Sequence, residues 1–211
     1  MGGLFNVNGK VYQYLEKLAN FMIVSVLWLL FSLPIFTIGA ATTALYYSVH
    51  RVICQNTGKL WETFWTAFKA NFKQATILWI ILLLVSAFLL LDAYICFIMS
   101  GLVSTLKWIL LLLFVLILFV IMWAHYWFAY ISHISDPTKA VLKNTLIMCI
   151  LHLPKSLALL ALFIVCAIVL VSSPQLAFLI IILPGLYMFA AHHLLENVFS
   201  QYWSAEESPE E

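Results

Sequence analysis

Residues 18–50 read LANFMIVSVLWLLFSLPIFTIGAATTALYYSVH and contain no Asp, Glu, Lys or Arg. A membrane-spanning helix needs only about 20 consecutive apolar residues. A charge-free run of 33 residues therefore predicts helix inside a bilayer. Further charge-free runs follow at 74–91, 108–135 and 156–195. The chain as a whole is predicted to be an all-α, polytopic bundle of transmembrane helices.

The composition supports this fold class and excludes others. Of the 211 residues, 65% are hydrophobic and 9% are charged, and the mean hydropathy is +1.06. Soluble domains carry about 25% charged residues. The lipid bilayer is therefore the expected partner. A net charge of +1 gives no basic surface for nucleic acid, so no nucleic-acid partner is expected.

Within the first run, the segment Pro34 to Gly39 indicates a break in the helix. Proline disfavours helix at the residue before it, and glycine relaxes the backbone. We therefore predict one helix over about 12–33 and another over about 40–56, with a single kinked helix as the alternative. The candidate functional element at this break comprises Pro34, Thr37, Gly39, Thr42 and Thr43. The threonines are expected to bond the freed carbonyl groups or to line a small wet cavity, unless the break is only a hairpin tip in water.

The remaining charge-free runs predict helices at about 75–99, 106–130, 156–172 and 176–195, the last two joined by a turn at 172–175. The total is six spans, or five if the first run is one helix. Residues 1–205 form a single transmembrane domain in this interpretation, and the acidic segment 206–211 is a disordered tail.

Two connecting segments are predicted to be amphipathic elbow helices. In the first, five aromatic residues recur on one helical face, which is typical of a helix lying in the cytoplasmic interface with its aromatic side chains toward lipid: Trp61, Phe64, Trp65, Phe68 and Phe72. Docking to a partner protein is the alternative role. The second elbow covers about 137–153.

Candidate chemistry comes from histidines and two carboxylates. Asp92 is the only acid inside a long apolar run, which makes it a functional candidate, with a local ion pair to Lys107 as the alternative. His192 and Glu196 lie one helical turn apart, a spacing that suits a metal or a proton relay. A helix end crossing the headgroup region explains the pair equally well, and we expect no metal or other cofactor. His50, His125, His133 and His152 would form a site only if the bundle gathered them. Since no catalytic motif is present, we expect no enzymatic activity.

The second helices of the proposed hairpins end in a similar way. Tyr47-Ser48-Val49-His50, Tyr130-Ile131-Ser132-His133 and Phe189-Ala190-Ala191-His192 each place a histidine three residues after an aromatic ring. This pattern hints at three helical hairpins linked by two elbows. The alternative is that any helix end at the interface collects Tyr, Trp and His.

Two stretches resemble a known family. They run from Asn20 through Ser32-Leu33-Pro34-Ile35-Phe36-Thr37-Ile38-Gly39-Ala40-Ala41-Thr42-Thr43-Ala44-Leu45, and from Phe64 to Ala75. The sequence is similar there to the YesL-like integral membrane proteins of the bacterial plasma membrane, a domain of unknown function. Members are often encoded beside carbohydrate ABC importers and glycoside hydrolases. The resemblance implies a role in oligosaccharide uptake, without a catalytic motif.

Two functions follow from these observations as expectations. The first is a non-enzymatic accessory or assembly subunit of a membrane complex, most plausibly an oligosaccharide ABC importer, with its permease subunits as partners. The alternative is a small stand-alone transporter or a substrate- or lipid-binding membrane protein. Homo-oligomers are compatible with either function.

The basic residues predict the topology. With six spans, all basic residues except Lys107 fall on one side of the membrane, which the positive-inside rule assigns to the cytoplasm together with both termini. Cysteines introduced at positions 3 and 207 should therefore resist an impermeant thiol reagent applied outside the cell. Labelling at position 3 alone would instead indicate five spans.

Overall fold

The computed structural model describes residues 10–99, 106–172 and 179–206, and the side chains of 15–99, 106–172 and 179–199. Within these ranges the regular structure is entirely helical, which confirms the all-α prediction. The α-helices are α1 Lys10–Phe31, α2 Ile38–Ser48, α3 Leu60–Met99, α4 Leu106–His133, α5 Thr138–Leu151, α6 Leu153–Ser172 and α7 Leu183–Glu206. The predicted turn at 173–175 and the tail at 207–211 lie outside the described residues.

The chain breaks between α1 and α2. A short 3-10 turn, Ile35–Thr37, follows Pro34, whose backbone is extended (φ −77°, ψ 119°). The hydroxyl of Thr37 lies 2.6 Å from the carbonyl oxygens of both Phe31 and Pro34, so the two share its one proton. The Pro34 carbonyl oxygen also accepts the Thr37 backbone N–H at 2.9 Å. Two separate helices are therefore present, rather than one kinked helix.

Helix α2 lies at the centre of the bundle because it is built from small residues. It contacts α1, α3, α4 and α7. A Cβ atom at Gly39 would lie 2.6 Å from the carbonyl oxygen of Ala75 and 2.7 Å from Cβ of Trp79, closer than real Cβ contacts. Ala40, Ala41 and other small residues of this helix are fully buried. Small side chains are what allow helix backbones to approach closely in membranes.

The predicted first elbow and third span form one continuous helix. Helix α3 has 40 residues, which corresponds to about 60 Å, or about twice the hydrocarbon thickness of a bilayer. No Gly or Pro interrupts its sequence. The expected helix at 61–73 is present and leads directly into the third span, and its location in the interface stays a prediction. This segment runs antiparallel beside α2, after a short connection at 55–59.

The turn between α1 and α2 lies beside the first half of α3. The Trp79 indole N–H donates to the carbonyl oxygen of Ile35 at 2.7 Å. The ring of Phe31 contacts four aromatic rings of α3, with centroids 5.0–6.2 Å apart: Trp61, Phe64, Trp65 and Phe68. This differs from the predicted topology, which places the break and the aromatic segment on opposite sides of the membrane.

The last three helices agree with the prediction except at the two ends of α7. Helix α5 corresponds to the second elbow, and His152 (φ −111°, ψ 40°) separates it from α6. Helix α7 begins at Leu183 rather than near 176 and continues to Glu206 rather than 195. Pro184 explains the later start, because proline has no N–H to donate and fits the first turn of a helix.

Among the described residues, three helices are long and apolar enough to cross a membrane: α3, α4 and α6. They indicate a membrane protein, while the number of spans stays a prediction. Residues 80–99 of α3 and 106–118 of α4 form what we call the apolar arm. Its large side chains are mostly exposed, and those above 60% exposure are Leu84, Phe88, Tyr94, Phe97, Trp108 and Leu112.

The close contact at Gly39 gives a prediction about stability. Gly39→Ala adds a methyl group where a backbone carbonyl and Trp79 leave no space. Overpacking of this kind costs about 1–3 kcal/mol, so the variant should unfold at a lower temperature in detergent. Val85→Ile adds a methyl group at an exposed position of α3 and should unfold like the wild type. Equal unfolding temperatures for all three proteins would contradict this packing.

A buried histidine cluster as the candidate functional site

The structure brings together side chains from three parts of the chain. We call this group the histidine cluster, and it consists of Tyr46, His50, His133, His192 and Glu196. Tyr46 lies in α2, His50 in the π-helical turn Val49–Cys54 that continues α2, and His133 at the end of α4. His192 and Glu196 lie one turn apart on α7. The bundle therefore does gather histidines, including the three that end the similar segments noted in the sequence.

The other histidines considered from the sequence lie elsewhere. The His125 ring contacts Phe163 and Tyr187, with centroids 5.2 and 5.9 Å away, and its Nδ1 lies 2.6 Å from the carbonyl oxygen of Ile121. His152 lies at the junction of α5 and α6. Neither of these two histidines belongs to the cluster.

At the centre of the cluster, one carboxylate oxygen faces two imidazole nitrogens. Glu196 Oε2 lies 3.7 Å from His50 Nδ1 and 3.5 Å from His192 Nδ1. The His50 ring is edge-on to the His133 ring at 4.6 Å and close to the His192 ring at 4.9 Å. Tyr46 contacts the rings of His133 and His192. The result is a compact group of four aromatic rings with one carboxylate facing two of them.

The central polar atoms are buried but make no hydrogen bonds. His50 is 8% exposed and His192 is 4% exposed. Among the described residues, Nδ1 of both histidines, Oε2 of Glu196 and the Tyr46 hydroxyl have no hydrogen-bond partner. Leaving one such group unsatisfied costs about 1–3 kcal/mol. Several buried polar atoms without a hydrogen bond therefore lie in one place, which points to a ligand-binding site.

The backbone at His50 is itself unusual. The Gln55 N–H donates to the carbonyl oxygen of His50 at 3.1 Å, five residues back, which is the pattern of a π-helix. Such turns are rare and frequently occur at functional sites. The Gln55 amide group also lies 2.9 Å from His50 Nε2, so it orients the ring from the side opposite to Glu196.

Glu196 is the acidic group of the cluster, and the cationic Arg51 follows His50 directly in the sequence. Glu196 lies just beyond the predicted span at 176–195, and burial raises the pKa of its carboxyl group. The nearby Arg51 guanidinium lies 6.0 Å from the centre of the Tyr47 ring, which it can contact as a cation–π partner. With two imidazoles and one carboxylate, the arrangement can bind a metal ion or exchange protons.

The predicted aromatic docking face is only partly exposed. Phe64 and Phe68 are buried against Phe31, so these two do not face lipid as expected. Trp61 is 54% exposed and Phe72 is 36% exposed. A docking or interfacial role for this face stays a prediction that rests on its exposed members.

The predicted broken-helix element is well packed. Thr42 accepts a hydrogen bond from the Trp28 indole N–H at 3.2 Å and donates to the carbonyl oxygen of Ile38. Thr43 is fully buried and donates to the carbonyl oxygen of Gly39. Gly39 precedes His50 by 11 residues, or about 16 Å of helix. The break and the histidine cluster therefore lie toward opposite ends of α2.

The sequence comparisons agree on a protein class without an assigned function. A family model described as "Protein of unknown function, DUF624" matches residues 21–93. The chain is also similar to the uncharacterized protein YteU of Bacillus subtilis (strain 168), with 26% identity over 194 residues, which cover 89% of this chain and 80% of that protein. No solved structure matches the chain significantly.

Proposed function

We propose that this protein is a non-enzymatic accessory or assembly subunit of a complex in the bacterial plasma membrane, and that the complex is an oligosaccharide ABC importer. The observation that carries the proposal is the apolar arm. Its two helical segments contact each other and leave broad apolar faces uncovered. The permease subunits of an importer are transmembrane helices that can pack on such faces.

The distribution of buried polar groups favours this function over a stand-alone transporter. The buried polar side chains of the described residues are Ser25, Thr37, Thr43, Ser48, His50, Ser132, Thr145, Ser156 and His192. None of these lies in the apolar arm. A transporter needs polar groups at its substrate site near the middle of the membrane and along the path on both sides of that site. A subunit that docks through apolar helix faces needs none there.

The identity of the complex rests on the resemblance to YesL-like proteins, which are often encoded beside carbohydrate importers. The matched family description and the relative in Bacillus subtilis leave this point open. The positive-inside rule assigns the lysine-rich side of the sequence to the cytoplasm, which is the side on which importer ATPases also lie.

Purification from the native membrane tests the proposal. In a mild detergent, we expect this protein to co-purify with a stoichiometric pair of permease subunits. Leu84→Trp together with Leu112→Trp enlarges two exposed side chains of the apolar arm and should reduce the amount of co-purified permease, because bulky residues prevent close helix packing.

Val171→Trp is the matched control, since Val171 is 80% exposed on α6, outside the arm. This variant should keep its partners. Purification of the wild-type protein alone, together with sugar transport by that protein in liposomes, would overturn the proposal in favour of a stand-alone transporter.

A further inference from the structure

We propose that His50, His192 and Glu196 form a binding site for a divalent transition metal of the Zn²⁺ class. Each of the three residues offers one ligand atom, and these three atoms all lie within 4.8 Å of one another. Nδ1 of each histidine faces Oε2 of the glutamate. This inference goes beyond the proposed accessory function and does not depend on it. It also revises the expectation from the sequence that the chain holds no metal.

The distances fit a metal better than they fit a direct ion pair. A charge-assisted N–H···O bond measures about 2.7–2.9 Å. The two contacts of Glu196 Oε2, at 3.5 and 3.7 Å, are too long for that. Ligands about 2.0–2.1 Å from a tetrahedral Zn²⁺ lie about 3.3–3.4 Å from each other. Shifts of a few tenths of an ångström would bring both contacts to that spacing. The ligand atoms of the two histidines lie within 4.8 Å of each other and would approach each other as the ion binds.

The donor set selects the class of metal. Imidazole nitrogen suits Zn²⁺ and other late transition metals, whereas Mg²⁺ and Ca²⁺ prefer oxygen ligands only. Two histidines and one glutamate leave a fourth tetrahedral position for water or for a group from a partner. One ion would also satisfy three buried atoms that have no hydrogen bond among the described residues.

Gln55 can supply the hydrogen-bond acceptor that a metal-binding histidine usually has on its second ring nitrogen. Such a histidine donates its second ring N–H to an acceptor, which fixes the ring and leaves the first nitrogen free to bind the metal. The Gln55 amide nitrogen lies 2.9 Å from His50 Nε2. A half-turn of this amide group places its oxygen there, where it accepts the Nε2–H and leaves the Nδ1 lone pair for the ion.

Metal titration of the full-length protein tests this site. The chain is purified in detergent without a polyhistidine tag, treated with a chelator, desalted and titrated with Zn²⁺. We expect one tightly bound Zn²⁺ per chain by elemental analysis, and a rise in the unfolding temperature that Mg²⁺ does not produce. Absence of saturable Zn²⁺ binding by the wild-type protein would overturn the proposal.

Paired variants locate the ion. Glu196→Gln and His192→Ala each remove one ligand and should abolish the tight binding. Two controls should keep it: His193→Ala, which changes the exposed neighbour on α7, and Glu62→Gln, which changes an exposed glutamate paired with Lys59 at 3.2 Å. Unchanged binding in Glu196→Gln would rule the site out.

X-ray absorption spectroscopy of the Zn²⁺-loaded wild-type protein keeps the test valid if the variants do not fold. We expect a first shell of nitrogen and oxygen at about 2.0–2.1 Å with two imidazole rings. A shell containing sulfur at about 2.3 Å would place the ion on cysteine and contradict the proposal.

Discussion

The close approach of α2 to α3 is the constraint on which the rest of this structure depends. At Gly39 the two helices are so near that a single methyl group would meet Ala75 and Trp79. In a bilayer, lipid tails are as apolar as leucine side chains, so van der Waals packing between backbones must hold helices together. The small residues that follow Gly39 extend this contact and allow α1, α4 and α7 to surround α2 as well.

This central packing divides the molecule into two unlike parts. Around α2, the bundle is dense, and the buried histidines are held where α2, α4 and α7 meet. Beyond the turn between α1 and α2, α3 continues as the apolar arm with α4, and few large side chains are buried there. The dense part is suited to holding a specific site, and the arm is suited to contact with lipid or with other transmembrane helices.

Much of the helical pattern could be predicted from the sequence, because charge-free runs and the Pro34 break are local signals. The joining of the aromatic segment and the third span into one 40-residue helix could not be predicted. An amphipathic segment followed by an apolar one is typical of two helices, even when no Gly or Pro separates them. The histidine cluster depends on contacts between residues up to 146 positions apart, His50 and Glu196. Two local signals pointed toward it: the similar segments ending in His50, His133 and His192, and the spacing of His192 and Glu196 by one helical turn.

Cysteine cross-linking in native membranes tests most directly whether the turn between α1 and α2 lies beside the first half of α3. In a chain whose four cysteines are replaced by alanine, Phe31→Cys is paired with Phe68→Cys or with Phe97→Cys. The ring centroids of Phe31 and Phe68 lie 5.0 Å apart, so a short bifunctional thiol reagent should join the first pair and leave the second unjoined. A cross-link only in the pair with position 97 would contradict this account, because it would place the end of α1 beside the apolar arm.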